Sequence, residues 1–286
     1  MSINEGPKQA GGETSRRKQL IIFDFDWRVS SLIDQDTDRY LFEVLDPELR
    51  KLLIQRKQSM QWTDNVADCL KKLNEKGFKR SQIEHAFSSL PLHPAMKRAI
   101  EELYDTNIES DQHKKSQNDN NQIETIFLIL SNSNSKFIEI VLTHHKMNFR
   151  NIFKEIITNP ADWSENDGYL DLDRRIKESS DRQHQCQFDC SPNMCKGEEF
   201  ISFLDRNGGR DSFERVTYIG DGENDYCPIV RLKKSDFALV RKRRGLIERI
   251  KEEDSLNNNE PRLRCKVVEW DGAWEVEQFF RSNLYN

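Results

Sequence analysis

Two carboxylates, Asp24 and Asp26, follow the apolar run Leu20–Phe23 and stand two residues apart. At the end of a buried strand one such acid can attack an electrophile while its neighbour handles a proton, and both can approach one divalent cation. The plainer reading is a solvated strand end. A second acidic group, Asp221 and Asp225, lies in Gly220-Asp221-Gly222-Glu223-Asn224-Asp225, directly after the apolar run Val216–Ile219. The glycines permit a tight turn, and hard oxygen ligands of this kind suit Mg²⁺, which takes few carboxylates and keeps waters. Ser131 and Asn132 follow the run Ile126–Leu130 and lead, through Ser133 and Asn134, into the stripe Phe137, Ile138, Val141, Leu142. A hydroxyl beside free backbone N–H groups at a helix N-terminus makes a phosphate site, although Ser and Asn are also ordinary N-caps. Lys196, in Pro192-Asn193-Met194-Cys195-Lys196-Gly197, can offset phosphate charge. Taken alone it reads as a surface lysine.

A separate group, His184, Cys186, Cys190 and Cys195, offers ligand types that zinc takes. Its spacings are not those of a standard finger, and reduced thiols in a loop are the competing reading. Six cysteines in 286 residues do not form a disulfide scaffold.

The acids and the hydroxyl each cap a short, continuous apolar run. Such runs fit strands buried on both faces of a parallel sheet, where ligands bind beyond the carboxyl ends of the strands. Phe237–Val240 is a fourth strand of this type, and Ile156-Ile157 and Lys266–Val268 are weaker candidates. Helical stretches are expected over about 38–57, 63–76, 81–90 and 94–105, with Thr63 as an N-cap and Gly77 as a stop; Ser133 or Ser135 would cap the helix carrying Phe137. The interval from Asp26 to Thr125 far exceeds the roughly 30 residues of a βαβ unit, so it holds an insertion. The expected fold is α/β: a Rossmann-like parallel sheet with an inserted helical cap subdomain. Residues 1–18 read as a disordered tail, 19–33 and 123–286 as the core, 34–109 as the cap and 110–122 as a flexible loop.

Forty-nine acidic and 44 basic residues leave a net charge of −5, which argues against a general electrostatic role on nucleic acid or an anionic membrane. No apolar run approaches the roughly 18–20 residues that span a bilayer, and the polar start of the chain is not a secretory signal. The expected location is cytoplasmic, or nuclear if the basic run Arg241–Arg244 acted as a signal; a solvated loop is the alternative. Trp62, Phe87 and His93, within the insertion, either contact a substrate head group through an aromatic face or pack in the core.

Taken in order, Phe23-Asp24-Phe25-Asp26-Trp27, the acidic stretch Asp34–Asp38, Ser131, Pro192–Lys196 and Gly220–Asp225 resemble the haloacid dehalogenase (HAD) superfamily of aspartate-nucleophile phosphohydrolases. Within it they resemble the PHOSPHO-type phosphatases, related to phosphoethanolamine/phosphocholine and pyridoxal-phosphate phosphatases. Thr158-Asn159-Pro160 and Gly272–Val276 are similar to its fungal members, and the resemblance spans roughly residues 19–281. It implies a HAD-like core and a Mg²⁺-dependent phosphomonoesterase acting on a small phosphorylated metabolite. Asp24 would be the nucleophile, Asp26 the general acid and base, and Ser131, with Asn132, the phosphate holder. Lys196 would orient Asp24. Asp24, the backbone carbonyl of Asp26, and Asp221 would hold the metal, with Asp225 in support. The sequence departs from the family pattern at Arg28-Val29-Ser30, which are extra beside the nucleophile. If the loop does not absorb them, the alternative is a catalytically impaired protein that binds a ligand or partner.

Overall fold

The computed structural model describes residues 17–26, 35–113, 123–165, 168–181, 183–258 and 260–285. Strand β1 (Arg17–Phe23) is followed by helices α1 (Thr37–Leu45), α2 (Pro47–Gln55), α3 (Trp62–Glu75), α4 (Arg80–Ala86) and α5 (Pro94–His113). Strand β2 (Ile123–Asn134) leads into α6 (Ser135–His144) and a short α7 (Phe149–Ile152), and then into β3 (Phe153–Asn159). The short strands β4 (Ala161–Trp163) and β5 (Leu170–Leu172) form an antiparallel pair. The chain continues through α8 (Lys196–Arg206), β6 (Arg215–Gly220), α9 (Tyr226–Ile229), β7 (Phe237–Arg241), α10 (Gly245–Leu256), β8 (Lys266–Trp270) and α11 (Ala273–Asn283).

The six long strands form one sheet in the order β3-β2-β1-β6-β7-β8, with every neighbouring pair parallel. All six expected strands are present. Alternation along each strand divides the core between the two faces. Ile21 and Phe23 of β1, and Phe127 and Ile129 of β2, pack with Leu103, Val141 and Phe280. Leu20, Ile22, Leu128 and Leu130 pack with Phe200 and Phe203 of α8 and Ile250 of α10. Burial on both faces is the reason the central strands β1, β2, β6 and β7 read as unbroken apolar runs rather than alternating ones. The chain leaves β1 toward β2 on one side and returns to β6 on the other. The carboxyl ends of β1, β2 and β6 therefore flank the point where the strand order reverses, which is where such sheets open a crevice.

The long insertion is helical, with one break that periodicity did not reveal. Asp46 ends α1, and its side chain accepts hydrogen bonds from the Glu48 and Leu49 backbone N–H groups to begin α2, because Pro47 has no N–H to continue a helix. Gly77, at φ +88°, ends the turn after α3 as expected for an αL C-cap. The cap of α3 is Gln61, which accepts from Asp64 N–H, not Thr63. The cap of α6 is Asn134, between the two serines proposed. Helix α5 lies against α11, where Arg98 pairs with Glu277 and Arg281 with Glu102. Asn107 bonds both backbone groups of Thr125 on β2. Phe87 is fully buried, its ring tilted against that of Phe137 with centroids 4.8 Å apart, so it is core. His93 Nδ1 accepts from Ala95 N–H at the start of α5.

The chain enters β1 at Arg17, so Arg17 and Lys18 lie in the sheet, and α5 extends to His113. The remaining expectations for the tail (1–16), the loop (114–122) and the Arg28–Ser30 segment fall outside the described residues. In the basic run, Arg241 is buried at the end of β7 beside the Trp270 ring, and Arg243 pairs with Asp271. No helix among the described residues is long and apolar enough to cross a membrane.

Candidate active site

Four charged side chains converge at the carboxyl ends of β1 and β6. Asp24 follows β1, and its backbone N–H donates to the Ile219 carbonyl at 3.0 Å, which ties the strand end to β6. Asp221 and Asp225 come from the turn after β6, and Lys196 is the first residue of α8. The Lys196 Nζ lies 2.8 Å from Asp24 Oδ1 and 2.8 Å from Asp225 Oδ1. All four side chains are buried. The surface-lysine reading of Lys196 is thereby overturned: an ammonium reaches such a position only when paired.

The acids differ in what they have left to offer. Asp225 is fully engaged. Its Oδ1 accepts from Lys196 and from the Tyr218 hydroxyl at 2.6 Å, and its Oδ2 from the backbone N–H groups of Asp221 and Gly222, each at 3.0 Å. It braces the turn. Gly220 is needed for this, because a Cβ there would meet Asp225 Oδ2 at 2.5 Å. Asp221 is the reverse: both of its carboxylate oxygens are buried with no hydrogen-bond partner. Leaving two such oxygens bare is costly, and oxygens of Asp24, Asp221 and Asp225 lie within 4.8 Å of one another. A small divalent cation with oxygen ligands fits this donor set.

The electrostatics follow from burial. Desolvation, and then the Asp225 charge, push the Asp24 carboxyl up to about 7 against the opposing pull of Lys196. Desolvation with Asp225 and Asp24 holds Asp221 well above the ordinary carboxylate range. Burial alone would discharge Lys196, but Asp225 and Asp24 outweigh it and raise its pKa.

Asp26 stands apart from this cluster. Its carboxylate accepts from the Thr37 hydroxyl at 2.8 Å. Burial, then Asp38 and Asp36, raise its pKa well above the usual value. Thr37 also contacts the Ser133 hydroxyl at 2.9 Å, joining the start of the cap to the β2 segment. Ser131 is fully buried and its Oγ accepts from Ser133 N–H at 3.2 Å. The β2 strand does not stop before these residues but carries on to Asn134 through a bulge. The Asn132 side chain accepts from Asn224 of the acidic turn at 2.8 Å.

A set of buried amides that the sequence reading assigned no role connects these parts. Asn159 Nδ2 donates to the carbonyls of Asn132 and Ser133. Asn193 Nδ2 donates to Asn159 Oδ1 and to the Thr63 hydroxyl, each at 2.8 Å. Cap helix α3, the lysine segment, β3 and the β2 bulge are thus one hydrogen-bonded unit. Both asparagines stand inside motifs quoted above, but an amide's partners lie far away in the chain and leave no mark on local spacing. Trp62 donates to Asp38 at 2.7 Å beneath the Arg39 guanidinium, close to Asp26.

The sequence profile of the family described as "Putative Phosphatase" matches residues 19–284, nearly the whole chain. The chain belongs to this family, the PHOSPHO-type phosphatases of the HAD superfamily. The bovine pyridoxal phosphate phosphatase PHOSPHO2 is 29% identical over 92% of this chain and 98% of its own length. The rat protein of the same name is 30% identical over 91% and 95%. Inorganic pyrophosphatase 1 of Arabidopsis thaliana is 26% identical over 91% of this chain and 78% of its own. Among solved structures, phosphoserine phosphatase from T. onnurineus superposes with a TM-score of 0.52 at 14% identity, covering 95% and 98%. A HAD family hydrolase from Salmonella enterica serovar Typhi gives 0.51 at 11%, covering 94% and 72%. These two likenesses establish the fold. The family match and the named relatives make this PHOSPHO-type protein a phosphatase of small phosphorylated substrates.

Proposed function

We propose that this phosphatase hydrolyses a small phosphomonoester through an aspartyl-phosphate on Asp24, with Mg²⁺ bound by Asp24, Asp221 and the backbone carbonyl of Asp26. Asp225 orders the turn that carries Asp221. The observation that carries this reading is the pair of unpartnered, buried Asp221 oxygens beside Asp24, with Lys196 bridging Asp24 and Asp225. When bound, Mg²⁺ would offset the negative charge of the phosphoryl group.

The chain's own residues supply the rest. Lys196 fixes the rotamer of Asp24 and favours the ionised, nucleophilic form, opposing the desolvation and Asp225 charge that raise its pKa. A carboxylate attack splits one hard hydrolysis into two easier steps. The raised pKa of Asp26 suits it to hold a proton at neutral pH, to give that proton to the leaving oxygen, and then to take one from the attacking water. Thr37 and its contact with Ser133 orient that carboxyl. Ser131 and Asn132 would bind phosphoryl oxygens.

Candidate phosphomonoester substrates are pyridoxal phosphate, phosphoethanolamine and phosphocholine; pyrophosphate, an anhydride, is added from the name of the plant relative. The test is phosphate release from an aryl phosphate with Mg²⁺ and with chelator, beside Asp24→Asn. Release that requires Mg²⁺ and vanishes in the variant is the expected result. Absence of release from folded protein on the aryl phosphate and on all four natural candidates would overturn it. Deleting Arg28–Ser30 measures whether the three extra residues hold turnover back, as the impaired-phosphatase alternative requires.

A further inference from the structure

The cysteines next to the lysine motif form a different set from the one their spacing suggested. His184 stands at the margin of the sulfur cluster: a ring nitrogen lies within 4.8 Å of Cys195 Sγ and of a Glu198 oxygen, but it does not belong to the four-sulfur set, and its Nε2 meets the Ser191 carbonyl at 2.6 Å. The fourth sulfur is Cys227, from α9, a residue distant in sequence and two positions beyond Asp225. The Sγ atoms of Cys186, Cys190, Cys195 and Cys227 all lie within 4.8 Å of one another. Cys186 is 3.5 Å from Cys190 and 3.3 Å from Cys227, and Cys195 is 3.4 Å from Cys227. All four are free thiols. Sulfurs held at about 2.3 Å from one tetrahedral zinc stand about 3.8 Å apart, so little adjustment would admit the ion.

The surroundings are built for thiolate charge. The Glu198 backbone N–H, in the first turn of α8, donates to Cys195 Sγ at 3.4 Å. The Arg231 guanidinium donates to Cys227 Sγ at 3.0 Å and to the Cys227 carbonyl at 2.7 Å. Donors of this kind orient and stabilise metal-bound sulfur. Gly197 is a glycine for the same reason: a Cβ there would meet Cys227 Sγ at 2.5 Å and Arg231 Cζ at 2.7 Å. Cys186 also lines a cleft of about 690 Å³, which leaves an ion a path in.

We infer that Cys186, Cys190, Cys195 and Cys227 bind one structural zinc ion as a closed tetrathiolate site, separate from the carboxylate centre. Binding releases the thiol protons and joins four sulfurs to one ion, with no redox change. The site staples the segment that ends in Lys196 to the turn that ends in Asp225, so it holds the two elements whose side chains meet at 2.8 Å. The inference stands independently of the phosphatase reading, because metal content and turnover are measured separately.

The test is the zinc content of the full-length reduced protein after gel filtration. About one equivalent is expected in the wild type, in Asp24→Asn, in His184→Ala and in Cys265→Ser. Cys227→Ser should fall below about a tenth of an equivalent. Should Cys227→Ser fail to fold, Cys186→Ser on the cleft rim serves instead. Cobalt exchanged into the site should give the intense thiolate charge-transfer bands of a tetrahedral thiolate complex. Zinc lost in Asp24→Asn but kept in the cysteine variants would overturn the inference. So would a Cys186–Cys190 disulfide in the active protein, or a wild type that retains no zinc after incubation with it.

Discussion

At the scale of single residues, the site is governed by how burial treats charge. Lys196 faces two buried carboxylates. Lys196→Met would leave both unpaired, at a cost of about 3–5 kcal/mol, and abolish turnover; a urea midpoint unchanged from wild type would refute the buried-pair account. Asp26→Asn removes the proposed proton donor, and a loss of about 10²–10⁴-fold in kcat is expected on alkyl phosphates. The loss should be much smaller on an aryl phosphate whose leaving group needs no proton. Equal losses on both would argue against a general acid. The raised pKa of Asp24, about 7, has a sign that can be tested. Between roughly pH 4 and pH 7 the native carboxyl keeps a proton that the unfolded chain has released, so this group's contribution to stability falls as pH rises through that window. Mg²⁺ competes with that proton. Its effect on Tm should therefore be larger near pH 8 than near pH 5.5, and calorimetry showing equal shifts would contradict it.

At the scale of elements, the amide unit linking α3, the lysine segment, β3 and the β2 bulge determines whether the cap and core share one geometry. Thr63→Val leaves the Asn193 amide short of an acceptor in a buried place. A loss of about 1–3 kcal/mol is expected, together with a lowered kcat, because the segment that presents Lys196 loses a support. Gly77→Ala tests the opposite kind of position. At φ +88° with open space around it, the added methyl meets no neighbour but strains the backbone, so stability should fall by about 1 kcal/mol or somewhat more while turnover stays unchanged. A variant series followed by chemical denaturation and turnover in parallel separates these two outcomes.

At the scale of the whole molecule, the parallel sheet brings together residues that stand almost 200 positions apart in the chain. Strands β1 and β6 are neighbours, so Asp24 and Asp221 share one end of the sheet, and helix α8 delivers Lys196 between them. The cap shares its apolar cluster with the sheet: Phe42, Leu53 and Val66 belong to the same core as Phe23 and Phe127. Cap and core are thus expected to unfold in one transition. Two resolved transitions by calorimetry would show the inserted helices to be an independent unit.

The local code was sufficient for much of this. Strands buried on both faces must be apolar at nearly every position, so the four central runs were visible without an alignment, while the edge strands β3 and β8 carry exposed polar positions and gave weaker signals; the acids and hydroxyl that cap the central runs pointed to the sheet's carboxyl end. Gly77 and the extra length before β2 were legible for equally local reasons. What the chain could not disclose on its own was partnership at a distance. Lys196 is unremarkable taken alone; its order among the motifs singled it out, and the fold alone sets its ammonium between two carboxylates. Asp221 and Asp225 look alike in their turn, yet one has every oxygen bonded and the other has none. Thr63 resembles a helix cap and is instead a bridge to Asn193. His184 was grouped with three cysteines by spacing; folding brings in Cys227 as the fourth sulfur and leaves His184 at the margin, beside Cys195. Backbone preference and hydrophobic period act over a few residues and are written locally. Hydrogen-bond saturation, desolvation and ligand sets arise only when distant segments are buried against one another, and tertiary structure alone decides them.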